Sequence, residues 1–165
     1  MVDVYEISAV VAAIGVLVGV IYYILDMRHQ RQVRQTDLVM RLYSTLGSRE
    51  FWEALTKFMM MEFEDYNDYK KKYVTSSTGW SEKPEFIALS QVAVFFDGIG
   101  VLLYMKLIDI DLAARLFRNS VVYTWEKMKP VIEGLRTEGY PQIMAEYENL
   151  YNEMKKREQS GAKNG

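Results

Sequence analysis

Cysteine is absent from this chain of 165 residues, and histidine occurs once, as His29. Without thiols there is no disulfide, no thiolate zinc site and no cysteine nucleophile. A single imidazole rules out a His-x-x-x-His pair, a histidine-based triad and a multi-histidine metal site within one chain. A charge excess is lacking too: the formal net charge is −2 and the isoelectric point about 5.5. That leaves no basic stripe of the kind nucleic acid requires. Period-two alternation between turn clusters persists nowhere, so no strand is expected and no glycine-rich phosphate loop can follow one. Most hydrolase and zinc mechanisms are excluded. The expectation is a protein that is not an enzyme and has no cofactor, metal or nucleic-acid partner.

What the chain has is a long apolar run. Ile7 to Leu25 comprises nineteen uncharged residues, preceded by Asp3 and Glu6 and followed by Asp26, Arg28, Arg31 and Arg34. As a helix it covers about 28 Å, close to the ~30 Å thickness of a bilayer's hydrocarbon core. A secretory signal peptide would begin basic, carry a shorter apolar core and end at a small-residue cleavage site. This run begins acidic and has no such site. It therefore reads as a retained span in the cell membrane. Tyr22 and Tyr23 fall where an interfacial aromatic belt belongs. Arg28, Arg31 and Arg34 suit anionic headgroups, at about 1 kcal/mol each, and mark the cytoplasmic side. The expected topology is single-pass with the N-terminus outside. Residues 1–26 form the anchor, 27–158 a cytoplasmic helical domain and 159–165 a disordered tail.

Beyond the span the pattern is helical. The fold class expected is all-α: one transmembrane helix continuing into a bundle of about four to five helices. Asp26 to Leu46 lacks Gly and Pro, so the first helix should run on from the membrane until Gly47 stops it. Ser48 is a candidate N-cap for a second helix over Arg49 to Tyr73. Val74 to Lys83, which includes Trp80, is a loop. Ser81 is a candidate N-cap for a third helix, with Pro84 in its first turn, running to about Met105. Phe86 to Leu107 is apolar nearly all round, the mark of a central helix. Its alternative reading as a second span carries a cost of ~2.5–3.5 kcal/mol for Asp97. Asp109 should cap a fourth helix, which Pro130 should kink or restart. A last helix is expected from Pro141 to Glu158.

Three features are candidates for function. Ser8, Ala12, Gly15 and Gly19 place small residues on one face of the span, a pattern that lets two helices approach closely in lipid. Asp97 sits among Val94, Phe95, Phe96 and Ile99. An acid in such surroundings must find a partner or stay neutral, and Arg136, Arg115 and Arg118 on later helices are the candidates. Glu62, Glu64, Asp65 and Asp68 form an acidic cluster. It lacks the alternating ligands and turn glycine of a calcium loop, so it reads as a solvated face.

The second half carries a family resemblance. Val92 to Gly100 with its acid Asp97, the turn before Asp109 and Asp111, Trp125 through Pro130 and Val131, Ile132 to Arg136, and Tyr147 to Leu150 resemble a prokaryotic family of short membrane-anchored helical proteins. It is the domain-of-unknown-function family numbered 4760, and the resemblance covers roughly Ser48 to Glu158. It implies one N-terminal span and a helical domain with an acid on an apolar helix, where Glu is often expected in place of Asp97. It also implies a buried polar pair between Asp97 and Arg136, but transfers no active site. The function expected is that of an accessory subunit or scaffold in a membrane complex. Its partners are the bilayer and either a protein or a second copy through the span. The alternative is a ligand-responsive regulatory module, with a small molecule near Trp80 or Asp97.

Overall fold

The computed structural model describes residues 4–75 and 81–162, and the side chains of 11–75 and 81–157 among them. The side chain of Ser8, the indole of Trp80 and residues 163–165 lie outside the described residues. Six helices and no strand are present among these residues: α1 Val4–Leu46, α2 Arg49–Met60, α3 Tyr66–Tyr73, α4 Pro84–Tyr104, α5 Ile110–Thr137 and α6 Ala145–Ala162. The chain divides into two units, Met1–Leu38 and Val39–Gly165.

The first unit is the greater part of α1. This helix is long and apolar enough to cross a membrane, and none of its most apolar stretch is buried against protein. An uninterrupted apolar helix with no protein cover suits lipid as its surroundings.

The second unit is built around α4. Packed against α2 on one side and α6 on another, α4 contributes Ala88, Leu89, Val92, Ala93, Phe96, Ile99 and Gly100 to the core. α5 lies against α6 and α3. Aromatic rings join the layers: Phe51 meets Phe96 edge-on at 6.2 Å, Phe96 stacks on Tyr147 at 5.4 Å, and Trp125 meets Tyr147 edge-on at 4.9 Å. Such pairs add about 0.5–1.5 kcal/mol each beyond their buried area. α4 also has the length and composition of a membrane span. In the fold it is the central helix of the bundle.

Local signals set several boundaries. Ser48 caps α2, its hydroxyl accepting from the Phe51 N–H at 3.2 Å. Asp109 caps α5 by accepting from the Asp111 and Leu112 N–H groups at 3.0 and 2.9 Å. α4 ends in a Schellman arrangement, with Lys106 N–H donating to Leu103 O and Leu107 N–H to Leu102 O. Lys106 takes the left-handed conformation there, at φ 57°.

Four expectations are corrected. The helix expected over Arg49 to Tyr73 breaks between Met61 and Asp65. Asp65 turns out to be an N-cap, accepting from Asp68 N–H at 2.8 Å, while Asp68 reaches back to Glu64 N–H at 3.2 Å. The carbonyls freed at the end of α2, those of Met59 and Met61, are taken by Lys127 Nζ from α5 at 2.5 and 2.7 Å. Ser81 does not cap α4; its hydroxyl accepts from Lys83 N–H, and Lys83 itself occupies the cap position without a side-chain bond. α5 does not restart at Pro130 but continues as one helix, because Met128, Val131 and Ile132 around it are buried and hold the backbone in place. Finally, residues 141–144 form turns and α6 begins at Ala145, after Met144 in the left-handed region at φ 54°.

Candidate functional site

The expected pair of Asp97 and Arg136 is not formed. Both residues instead grip the start of α6, from opposite neighbours. Asp97 Oδ1, half-buried on α4, accepts from the Tyr147 backbone N–H at 3.0 Å. That N–H lies in the first turn of α6, where helix amides have no internal acceptor and the helix dipole favours an anion. Arg136, near the end of α5, donates to Ile143 O at 3.0 Å and to Glu148 Oε2 at 2.6 Å. The physical reason for the correction is proximity. The Tyr147 N–H takes up Asp97, while Ile143 O and the Glu148 carboxylate take up Arg136, so neither turns to the other.

Gly100 makes this docking possible. A Cβ built on it would fall 2.1 Å from Glu146 O, so α6 approaches α4 backbone to backbone one turn from Asp97. At Gly98 a Cβ would meet nothing within 4 Å. The Tyr147 hydroxyl is hydrogen-bonded to Thr124 on α5, and burial pushes that phenol up from its usual range.

A second fastening holds α3. Gly134 on α5 leaves room for the Tyr66 ring, whose Cγ would lie 2.0 Å from a Cβ at that position. Tyr66 donates to Glu138 Oε2 at 2.6 Å and Lys70 to Glu138 Oε1 at 2.7 Å. The lysine and phenol bonds lower the Glu138 carboxyl below its usual value. Burial and the same carboxylate push the Tyr66 phenol up to about 12. Lys127 is shifted the other way: desolvation lowers its ammonium, partly opposed by Glu62. Asp97, Arg136, Tyr66, Lys70, Glu138 and Lys127 are thus engaged as ties between helices. The acidic cluster is solvated as expected, Glu62, Glu64 and Asp65 being exposed and Asp68 half-buried, and within it Asp65 and Asp68 cap α3. No cluster of metal-ligating side chains occurs among the described residues.

Among the open surfaces of the second unit, two are mainly apolar and bear on binding. The outer side of α4 presents Ile87, Gln91, Val94, Gly98, Val101 and Met105 at alternating spacings of four and three. These residues form one uncharged line along the helix. Ile87 is 53% exposed and Val94 63%. Between α2 and α5 lies a groove of about 680 Å³, open along one side, lined by Trp52, Leu55, Met60, Val122 and Tyr123, with Arg118 among them. The Nε of Arg118 is buried and has no hydrogen-bond partner. Neither surface was anticipated from the sequence. The spacing of Ile87, Val94 and Val101 was the available signal, hidden by the all-round apolarity of that helix.

In the first unit, Ala12, Gly15 and Gly19 lie on one face of α1, and a Cβ at either glycine would meet nothing within 4 Å. Tyr22, Tyr23, Arg28, Arg31 and Arg34 are all exposed on the same helix.

An apolar helix of membrane-spanning length, followed by an all-α bundle whose internal charges cap its own helices, defines a class of helical domain protein with a candidate membrane span. Within that class the relation is specific. The chain belongs to the family described as Domain of unknown function (DUF4760), whose model matches residues 9–154. No curated protein and no solved structure matches the chain.

Proposed function

We propose that this chain is a single-span protein of the cell membrane whose cytoplasmic helical domain acts by binding another protein, as an accessory subunit or scaffold of a membrane complex, and not by catalysis. The observation that carries the reading is the outer face of α4. It is an uncharged and mainly apolar line, with Gln91 and Gly98 between its apolar residues, on the outside of a bundle whose other side is already packed. Faces of that kind call for cover, because exposed apolar area costs about 25 cal/mol per Å² relative to burial. The arginines after the apolar run support a cytoplasmic placement of the domain by the charge rule for short flanks.

The reading of a small-molecule sensor at Asp97 or Trp80 has less support. Asp97 already holds the α6 terminus, and Trp80 lies outside the described residues. The test is native gel electrophoresis after extraction of membranes with mild detergent. The wild-type chain should migrate in an assembly larger than a monomer. Val94→Lys should lower the mass of that assembly, since the new charge falls mid-face at a position 63% exposed. Replacing Gly15 and Gly19 with Leu asks separately whether the span contributes. A wild-type chain that migrates alone would refute the proposal.

A further inference from the structure

The groove between α2 and α5 holds a buried donor that nothing in the fold satisfies. Arg118 lines it beside Thr56, Asn119, Ser120 and Thr124, and its Nε is buried and lacks a partner, although every other buried polar side-chain atom among the described residues has one. A guanidinium in that position gains a partner if a carboxylate enters the groove. The walls say what else the entrant carries. Trp52 is 56% exposed, Met60 76% and Tyr123 66%, so three large side chains stand open around one cation. Trp, Tyr and Arg are the residue types that dominate binding energy at protein interfaces, and methionine adapts to the shape of a partner. Trp52, Leu55 and Met59 recur at spacings of three and four along α2. Such a ridge fits the grooves of another helix. The trough is open along one side, which suits a helix better than an acyl chain needing enclosure.

We infer that the α2–α5 groove receives an amphipathic helix of a partner protein, about three turns long, whose apolar side packs on Trp52, Met60 and Tyr123 and whose Asp or Glu carboxylate pairs with the Arg118 guanidinium. The length follows from α2, whose 12 residues extend about 18 Å. The inference rests on the reading of the domain as protein-binding and names where one partner docks and with what chemistry.

The test places the photo-crosslinker p-benzoylphenylalanine at Tyr123 of the full-length chain in its native membranes, with Tyr140 as a control position outside the groove. The expected result is a protein adduct at Tyr123 and none at Tyr140. It should map to a segment with apolar residues at helical spacing and an acid among them. Arg118→Met should lower the adduct yield about tenfold, equivalent to 1.4 kcal/mol. It should leave the melting temperature unchanged or higher, because it removes an unsatisfied donor and not a structural bond. A lipid adduct, an adduct to a second copy, no adduct, or a yield indifferent to Arg118→Met overturns the inference. The native gel separates the two claims. A large assembly without the Tyr123 adduct removes only the groove, whereas a wild-type monomer removes both.

Discussion

Gly100→Ala adds one methyl group where α4 and α6 touch. The new Cβ would lie 2.1 Å from Glu146 O and 2.5 Å from its carbonyl carbon, against 3.4 Å or more in ordinary contact. The obstacle is backbone, so no side chain can swing aside, and α6 must retreat by roughly 1 Å. That movement opens the 3.0 Å bond from Tyr147 N–H to Asp97 and loosens Tyr147 between Phe96 and Trp125. Overpacking of this kind costs ~1–3 kcal/mol, and a hydrogen bond to a charged group contributes ~1.5–3 kcal/mol. The better helix propensity of alanine offsets up to ~1 kcal/mol. The net loss is about 3 kcal/mol, or a fall on the order of 10 °C in melting temperature for a domain of this size. Gly98→Ala is the internal control, since a Cβ there meets nothing. It should be neutral or stabilise by up to ~1 kcal/mol. Thermal unfolding of the full chain in detergent, followed by circular dichroism, compares the two. Equal melting temperatures for both variants would refute the claim that α6 docks through Gly100.

Asp97→Ala should destabilise by about 1–2 kcal/mol through loss of the bond to the α6 terminus, and Asp97→Asn, which keeps an acceptor, by less than half of that; chemical denaturation measures both. Lys106→Gly should stabilise by about 1 kcal/mol in the same assay, because its left-handed φ of 57° costs a side-chain-bearing residue that much. The α3 latch should be confined to a pH window. Glu138 is lowered below its ordinary 4.5, so its contribution is full above that value and is lost as pH falls through the lower folded value. Tyr66 is raised from 10.0 to about 12, so its contribution is full below 10 and is lost as pH rises toward 12. Hydrogen exchange of the α3 amides should accelerate at both ends, and exchange independent of pH after correction for intrinsic rates would remove the latch.

What the sequence made legible was local. Gly47 and Ser48 mark a helix end and start by their own chemistry, as does Asp109, and each acts within four residues of itself. The apolar run of α1 and the all-helical class needed only composition and period. What escaped was settled by residues distant in the chain. The break after Met60 depends on Lys127, more than sixty positions away, taking the α2 carbonyls. Pro130 fails to interrupt α5 because buried neighbours outweigh one missing backbone bond. Asp97 was rightly singled out as an acid needing a partner. Its partner is a backbone N–H, and backbone groups leave no mark in a sequence. Asp97 and Gly100, three residues apart on one helix face, were the trace of that docking: an anion and a space for the same helix terminus.

The measurement that most directly tests the account is the mass of the native assembly extracted from membranes, compared between wild type and Val94→Lys at matched melting temperature. A partner on the α4 face requires a wild-type species larger than one chain that loses mass when that face is charged. A monomeric wild type, or an assembly that Val94→Lys leaves intact, would contradict it.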